Sequence, residues 1–298
     1  MLPSDTIARF RVDKESGFKL ADRDPKDTGG LDIDKTEAEK LLAAAVKRLA
    51  KLQERLYAQG RWAVLAILQG LDTAGKDGVI EHVFSGFNPQ GCEVHSFKQP
   101  SSLELAHDFL WRTTLALPAR GIVGVFNRSY YEETVVVRVH PELLGKQNLP
   151  PKLVTGDIWK ERYEDINNFE LHLARSGTVP VKFFLHISKE EQLQRLLARI
   201  ADPDKRWKFA NHDVDERKLW GEFIKVYDDT IRHTATKHAP WYVIPADRKW
   251  FARLVAAAVL VERMEALDLQ YPKLDEAQLS ELKKAEAALL AEAKTPKR

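Results

Sequence analysis

Cysteine is nearly absent. The single Cys92 in 298 residues leaves no internal disulfide framework and suits a reducing cytosol. Long apolar runs are missing too: runs such as Trp62 to Leu68 are far shorter than the ~20 residues a membrane span needs. The opening Met1-Leu-Pro-Ser-Asp-Thr-Ile has no basic flank followed by an apolar stretch, so it does not read as a secretory signal. The nine histidines form no cluster with cysteine at zinc-ligand spacing. Charge of one sign is also lacking, since 46 basic residues stand against 44 acidic ones for a net charge of +2. That balance gives no footing for nucleic-acid binding by bulk charge, so a polyanionic partner must meet a local basic channel. These absences describe a cytoplasmic protein with no membrane or nucleic-acid partner. A composition of 44% hydrophobic and 30% charged residues is ordinary for a globular chain.

Residues 1–34 are polar and punctuated by turn formers (Asp24-Pro25-Lys26-Asp27-Thr28-Gly29-Gly30), which predicts an extended arm. From Lys35 to Gln59 the apolar Leu41, Leu42, Ala45, Leu49, Leu52 and Leu56 recur at helical spacing, with Gly60 as the stop. Short apolar runs follow at Trp62–Leu68, Glu93–Phe97, Ile122–Phe126, Val179–Ile187 and Trp241–Ile244, each succeeded by a helical pattern. Such alternation implies parallel strands joined by crossover helices, a three-layer α/β fold with a five-stranded parallel sheet. The helical region from Glu190 to His238 is broken by a charged segment, residues 199–213. Within 271–298, an Ala/Leu/Glu/Lys-rich stretch predicts a C-terminal surface helix with its charges in solvent. No repeat or linker divides residues 35–270, which are expected to form one core.

The strongest local signal is Gly70-Leu71-Asp72-Thr73-Ala74-Gly75-Lys76-Asp77-Gly78, which follows a predicted strand and opens a predicted helix, the setting a phosphate loop requires. Glycines let the backbone N–H groups of the loop, Thr73 and Ala74 among them, turn toward phosphate oxygens, and the helix N-terminus adds partial positive charge. Lys76 supplies a cation that can follow a transferring phosphoryl group. Asp77 stands where a metal-binding hydroxyl is common; it also reads as a favourable acid in a first helical turn. Asp72 places a carboxylate beside phosphate, which is repulsive unless a divalent cation intervenes, so it argues for Mg²⁺ here.

A second run ends the strand Ile122–Phe126 with Asn127-Arg128-Ser129-Tyr130-Tyr131-Glu132. An acid at this strand end often helps hold metal, whereas Asn127 is neutral; Arg128 can clamp phosphate with its planar fork. Ser129 lacks the glycines of a nucleophile elbow and reads as a cap for the next helical turn. Lys98, after the second predicted core strand, can face the crevice at the carboxyl ends of the strands. The segment Arg199-Ile-Ala-Asp202-Pro203-Asp204-Lys205-Arg206-Trp207-Lys208 concentrates cations and an aromatic platform, the makings of a lid that closes over a donor and excludes water. His95, His140 and His186 read as structural.

Taken in order, these three segments, with Trp220 and Tyr227 downstream, resemble the family-2 polyphosphate kinases over roughly residues 35–270. The resemblance implies a thymidylate-kinase-like P-loop core with a helical lid, Mg²⁺ as cofactor, and phosphate transfer between inorganic polyphosphate and AMP, ADP or ATP, in a homo-oligomer. It would make Asp72 the organiser of metal and attacking phosphate, with Lys76 and Arg128 gripping phosphates and Arg199 and Lys208 acting from the lid. Asn127 with Glu132 is similar to the subgroup that accepts AMP as well as ADP. Ala210 departs from the serine many members carry there. Two other functions share such a core: an ATP-dependent nucleoside monophosphate kinase, and a nucleotide-binding switch without turnover.

Overall fold

The structure, a computed structural model, describes residues 2–15, 17–209 and 212–293, with Lys208, His212 and Asp213 described in their backbone only. Its sheet holds β1 (Arg11–Val12), β2 (Ala63–Gln69), β3 (Cys92–Ser96), β4 (Val123–Asn127), β5 (Thr178–His186) and β6 (Trp241–Pro245), in the order β1-β6-β5-β2-β4-β3. The pairs β2–β4, β2–β5, β3–β4 and β5–β6 are parallel. All seven residues of β2 are buried, which is why its sequence does not alternate: a parallel strand covered on both faces has no solvent side to mark.

The expectation of five strands is corrected to six. The extra strand comes from the N-terminal segment and pairs antiparallel with β6, Arg11 opposite Tyr242 and Val12 opposite Trp241. Two residues carry too little pattern to announce a strand; the pairing exists because Phe10, Val12, Phe18 and Leu20 are drawn into the core beside it. His186 ties the same segment down by donating from Nε2 to the Arg23 carbonyl at 3.1 Å. Burial lowers the pKa of its imidazole to about 4, so the ring serves as a neutral donor.

Crossover helices gather in two groups on the sheet. Lys35–Gln59 and Lys76–Val83 both pack against Lys249–Glu265, while Ile158–Arg175 packs with Trp220–Thr234. The first begins at Asp34, whose side chain accepts from Glu37 N, and ends at Gly60 in the left-handed conformation (φ 61°), as the spacing predicts. The helix Glu276–Ala293 lies beyond the core with every residue exposed. No helix among the described residues is long and apolar enough to cross a membrane.

Candidate active site

Strands β2 and β4 are sheet neighbours, so the turns leaving their carboxyl ends lie side by side, the position where open α/β sheets bind ligands. The turn after β2 carries positive φ at Gly70 (151°), Thr73 (64°) and Gly75 (110°) before the helix Lys76–Val83 starts. A side chain at Gly70 is excluded on space alone, because a Cβ there would stand 2.9 Å from the Leu185 carbonyl oxygen. Thr73 adopts a conformation that favours glycine, a local strain of the kind stored at functional sites.

Two residues outside the predicted motif hold this loop. Arg195, in the helix Lys189–Ala201, is buried and donates from Nη1 to the carbonyls of Thr73 (2.9 Å) and Ala74 (3.0 Å). Its Nη2 reaches the carbonyls of Ala246 (2.5 Å) and Asp247 (3.0 Å). Gln192, one turn earlier, donates to the Asp72 carbonyl at 3.1 Å. The Ala74 N–H, expected from the sequence to face phosphate, instead donates to the Leu71 carbonyl at 3.1 Å. Neither Arg195 nor Gln192 stands out in the sequence, where both read as ordinary polar positions of an amphipathic helix.

Lys76 is buried and donates from Nζ to the carbonyls of Gly70 (2.8 Å) and Leu71 (3.2 Å). Burial, reinforced by the Arg128 cation and opposed by Asp72, Glu132 and Asp77, lowers its pKa to about 8. Arg128 has φ 64° and bridges the two motifs, donating to Asp72 Oδ1 at 2.6 Å and to Glu132 Oε2 at 2.9 Å. Glu132 first, then Asp72, hold its guanidinium above its ordinary range. Asn127 donates to Asp77 Oδ1 at 2.8 Å, linking the end of β4 to the helix after the loop. Ser129 is buried and caps the turn Tyr130–Glu132 by accepting from Tyr131 N at 3.2 Å. The Gln69 side chain, donating to Glu132 Oε1 at 3.0 Å and accepting from Ser129 N and Oγ at 3.1 Å, closes the group from below.

The turn is anchored deeper by a fully buried ion pair. Lys182 Nζ on β5 meets Glu170 Oε2 at 2.6 Å, and both side chains are 0% exposed. Glu170 Oε1 accepts from the hydroxyls of Tyr130 (2.8 Å) and Tyr131 (2.7 Å), and Lys182 also reaches the Thr234 carbonyl at 2.7 Å. Burial and the Glu170 charge raise both tyrosine pKa values, keeping the hydroxyls protonated as donors. Three elements, β5 and the helices Ile158–Arg175 and Trp220–Thr234, therefore converge on the two tyrosines that follow Arg128.

Two cavities meet over this framework. One, of about 910 Å³, is lined by the loop residues Asp72–Gly78 and by Lys98, Asn127, Arg128, Arg195, Arg199, Lys205 and Trp207. The other, of about 540 Å³, is lined by Phe97, His107, Phe109, Arg112, Glu132, Val136, His140, Trp220, Phe223 and Tyr227, among others. They share Asp72, Phe97, Lys98 and Arg128. The charged segment expected to act as a lid contributes Arg199, Lys205 and Trp207 to the first cavity's lining, the last 78% exposed. The side chain of Lys208, and Ala210, lie outside the described residues. Asp72 and an adjoining buried Thr73 Oγ1 that has no hydrogen-bond partner offer oxygen donors of the kind Mg²⁺ takes. No group of three His, Cys, Asp or Glu among the described residues could cage a metal. An ion here would rest on one carboxylate together with substrate oxygens, which is how Mg²⁺ is commonly held.

A mainly parallel α/β sheet with a glycine-rich strand–helix loop opening on a cation-lined cleft defines a class of phosphate-handling proteins. Comparison with known proteins narrows it. The family model described as Polyphosphate kinase 2 (PPK2) matches residues 32–272, and the chain belongs to that family. An ADP-polyphosphate phosphotransferase of Rhodopseudomonas palustris is 51% identical over 251 residues, covering 84% of this chain and 87% of that protein. An AMP/ADP-polyphosphate phosphotransferase of Meiothermus ruber is 45% identical over 267 residues, 90% and 96% of the two chains. The crystal structure of polyphosphate kinase 2 from Arthrobacter aurescens TC1 superposes with a TM-score of 0.86 at 40% identity over 97% of each chain.

Proposed function

We propose that this chain transfers phosphoryl groups from inorganic polyphosphate to AMP and ADP, giving ADP and ATP, reversibly and without a phosphoenzyme. The observation that carries it is the meeting of two unlike cavities at Asp72, Lys98 and Arg128. The basic cavity over the phosphate loop suits a polyphosphate chain; the cavity lined with aromatic and apolar groups suits a nucleoside, its phosphate pointing to the shared residues. An oxygen of the nucleotide's terminal phosphate attacks the end phosphorus of the chain. The new P–O bond forms as the P–O bond to the rest of the chain breaks, and the shortened chain leaves with the electron pair. Lys76 and Arg128 offset charge on the transferring group, and Arg199 and Lys208 close from the lid. Asp72 would hold Mg²⁺, which when bound neutralises phosphate oxygens and lets carboxylate and phosphate approach.

The two relatives differ in acceptor, ADP alone in one name and AMP with ADP in the other. Asn127 and Glu132 support the dual acceptor here. The core is of the thymidylate-kinase-like P-loop kind, and the protein works in the cytoplasm as a homo-oligomer. The test is incubation of purified protein with AMP, long-chain polyphosphate and Mg²⁺, resolving AMP, ADP and ATP over time. ADP followed by ATP supports the proposal. Turnover only when ATP is supplied would reassign the chain to the nucleoside monophosphate kinases, and no turnover with either donor would leave a nucleotide-binding switch.

A further inference from the structure

We infer that Lys249 and Arg253, on the helix Lys249–Glu265, form a distal phosphate subsite that makes long polyphosphate a better donor than short. The inference rests on the donor reading above. Both residues line the basic cavity beside the phosphate loop. A donor seated on that loop must send its remaining phosphates onward, and here the cations continue.

Three observations carry the subsite. First, the helix begins against its own dipole. Arg248 is its N-cap, Lys249 its first residue, and its first turn has no acid. The comparable helix Lys189–Ala201 opens with Glu190 and Glu191, and Lys35–Gln59 has Glu37 there. Positive side chains at the positive helix end destabilise unless an anion joins them.

Second, Gly78 sits inside the helix Lys76–Val83, where glycine is unfavourable, and its missing side chain is where Arg253 goes. A Cβ at Gly78 would stand 3.1 Å from Arg253 Nη2. Gly78 has ordinary helical φ, so space beside it, not backbone freedom, is what the glycine provides.

Third, among the described residues neither Lys249 nor Arg253 makes a side-chain hydrogen bond or an ion pair. The charges that face Lys249 are Arg195, Arg253 and Lys205, offset by Glu191; those facing Arg253 are Glu81, Glu39 and Arg195. Partial desolvation and then Arg195 push the Lys249 ammonium below its ordinary range. A chain carrying negative charge on every phosphoryl unit relieves this crowding, and on this inference a short donor held by the loop and Arg128 ends before it fills the subsite.

The test compares kcat/KM for long-chain polyphosphate with kcat/KM for tripolyphosphate, at fixed ADP and metal. The wild type is set beside Lys249→Ala, Arg253→Ala, Arg253→Lys and the Lys249→Ala/Arg253→Ala double variant. The long-to-short ratio should fall about threefold in each alanine variant and about tenfold in the double, with Arg253→Lys retaining most of the preference. Lys249 is exposed, so its replacement tests the idea even if Arg253→Ala folds poorly. A ratio that stays at the wild-type value, whether or not both constants fall together, overturns the subsite and leaves the proposed function standing. A wild type that uses no polyphosphate of any length overturns the donor reading and this inference with it.

Discussion

Breaking the buried pair between Glu170 and Lys182 should cost about as much as removing both of its charges. The two side chains touch at 2.6 Å with no exposure, and the carboxylate also accepts from Tyr130 and Tyr131. Lys182→Met leaves a buried carboxylate without its cation, and Glu170→Gln leaves a buried ammonium against neutral partners. Each should lose about 3–5 kcal/mol. At about 2–4 °C per kcal/mol for a domain approaching this size, that corresponds to a Tm lower by roughly 6–20 °C. In the double variant no charge is buried, and the amide oxygen introduced by Glu170→Gln can still accept from the tyrosines. It should therefore lose only about as much as one single variant, a coupling equal to one single loss, about 3–5 kcal/mol. Denaturant titration of the four proteins, followed by circular dichroism at one pH, gives the cycle directly. Losses that simply add would refute the ion-pair reasoning, and single losses below about 1 kcal/mol would show that water or rearrangement compensates the lone charge.

Arg195→Ala orphans four loop and strand-end carbonyls and should lose about 3 kcal/mol or more while raising the donor KM; a calorimetric scan beside donor titrations checks both, and unchanged donor KM would show that the loop holds its shape without Arg195. Lys76, with its pKa lowered to about 8, is cationic below that pH and neutral above it. The donor kcat/KM should accordingly be level at lower pH and fall about tenfold per pH unit well above 8, and Lys76→Arg should abolish that fall. A wild-type profile flat to about pH 10 would contradict the assignment of Lys76 as the charge the free enzyme offers its donor. Gly70→Ala meets the Leu185 carbonyl and a φ that alanine avoids, so it should destabilise by about 2 kcal/mol or more in thermal melts; a melt unchanged from wild type would mean the loop relaxes freely.

The strand–loop–helix at Gly70–Gly78 and the strand-end run Asn127–Glu132 were legible because each lies in consecutive residues. Glycine conformations, a first helical turn and a strand terminus are short-range matters that a window of a dozen residues contains. The structure adds that the two windows adjoin, through Arg128 to Asp72 and Asn127 to Asp77, since β2 and β4 pair in parallel. The strand Arg11–Val12 was not legible: two residues have no period, and only the pull of Phe10 and Val12 into the core gives them a partner in β6.

By itself, then, the sequence determined the alternation of strands and helices, the glycine-punctuated turn between β2 and the next helix, and the family to which these point. What only the tertiary structure decided are the contacts between distant parts of the chain. Arg195 holds loop carbonyls more than a hundred residues earlier, Lys182 and Glu170 pin the tyrosines after Arg128, and Arg253 fills the space left by Gly78. Each of these residues looks like an ordinary helix or strand position in its own neighbourhood. The physical reason is that local pattern records which face of an element is buried, whereas the partner a buried polar group finds is set by how the elements pack.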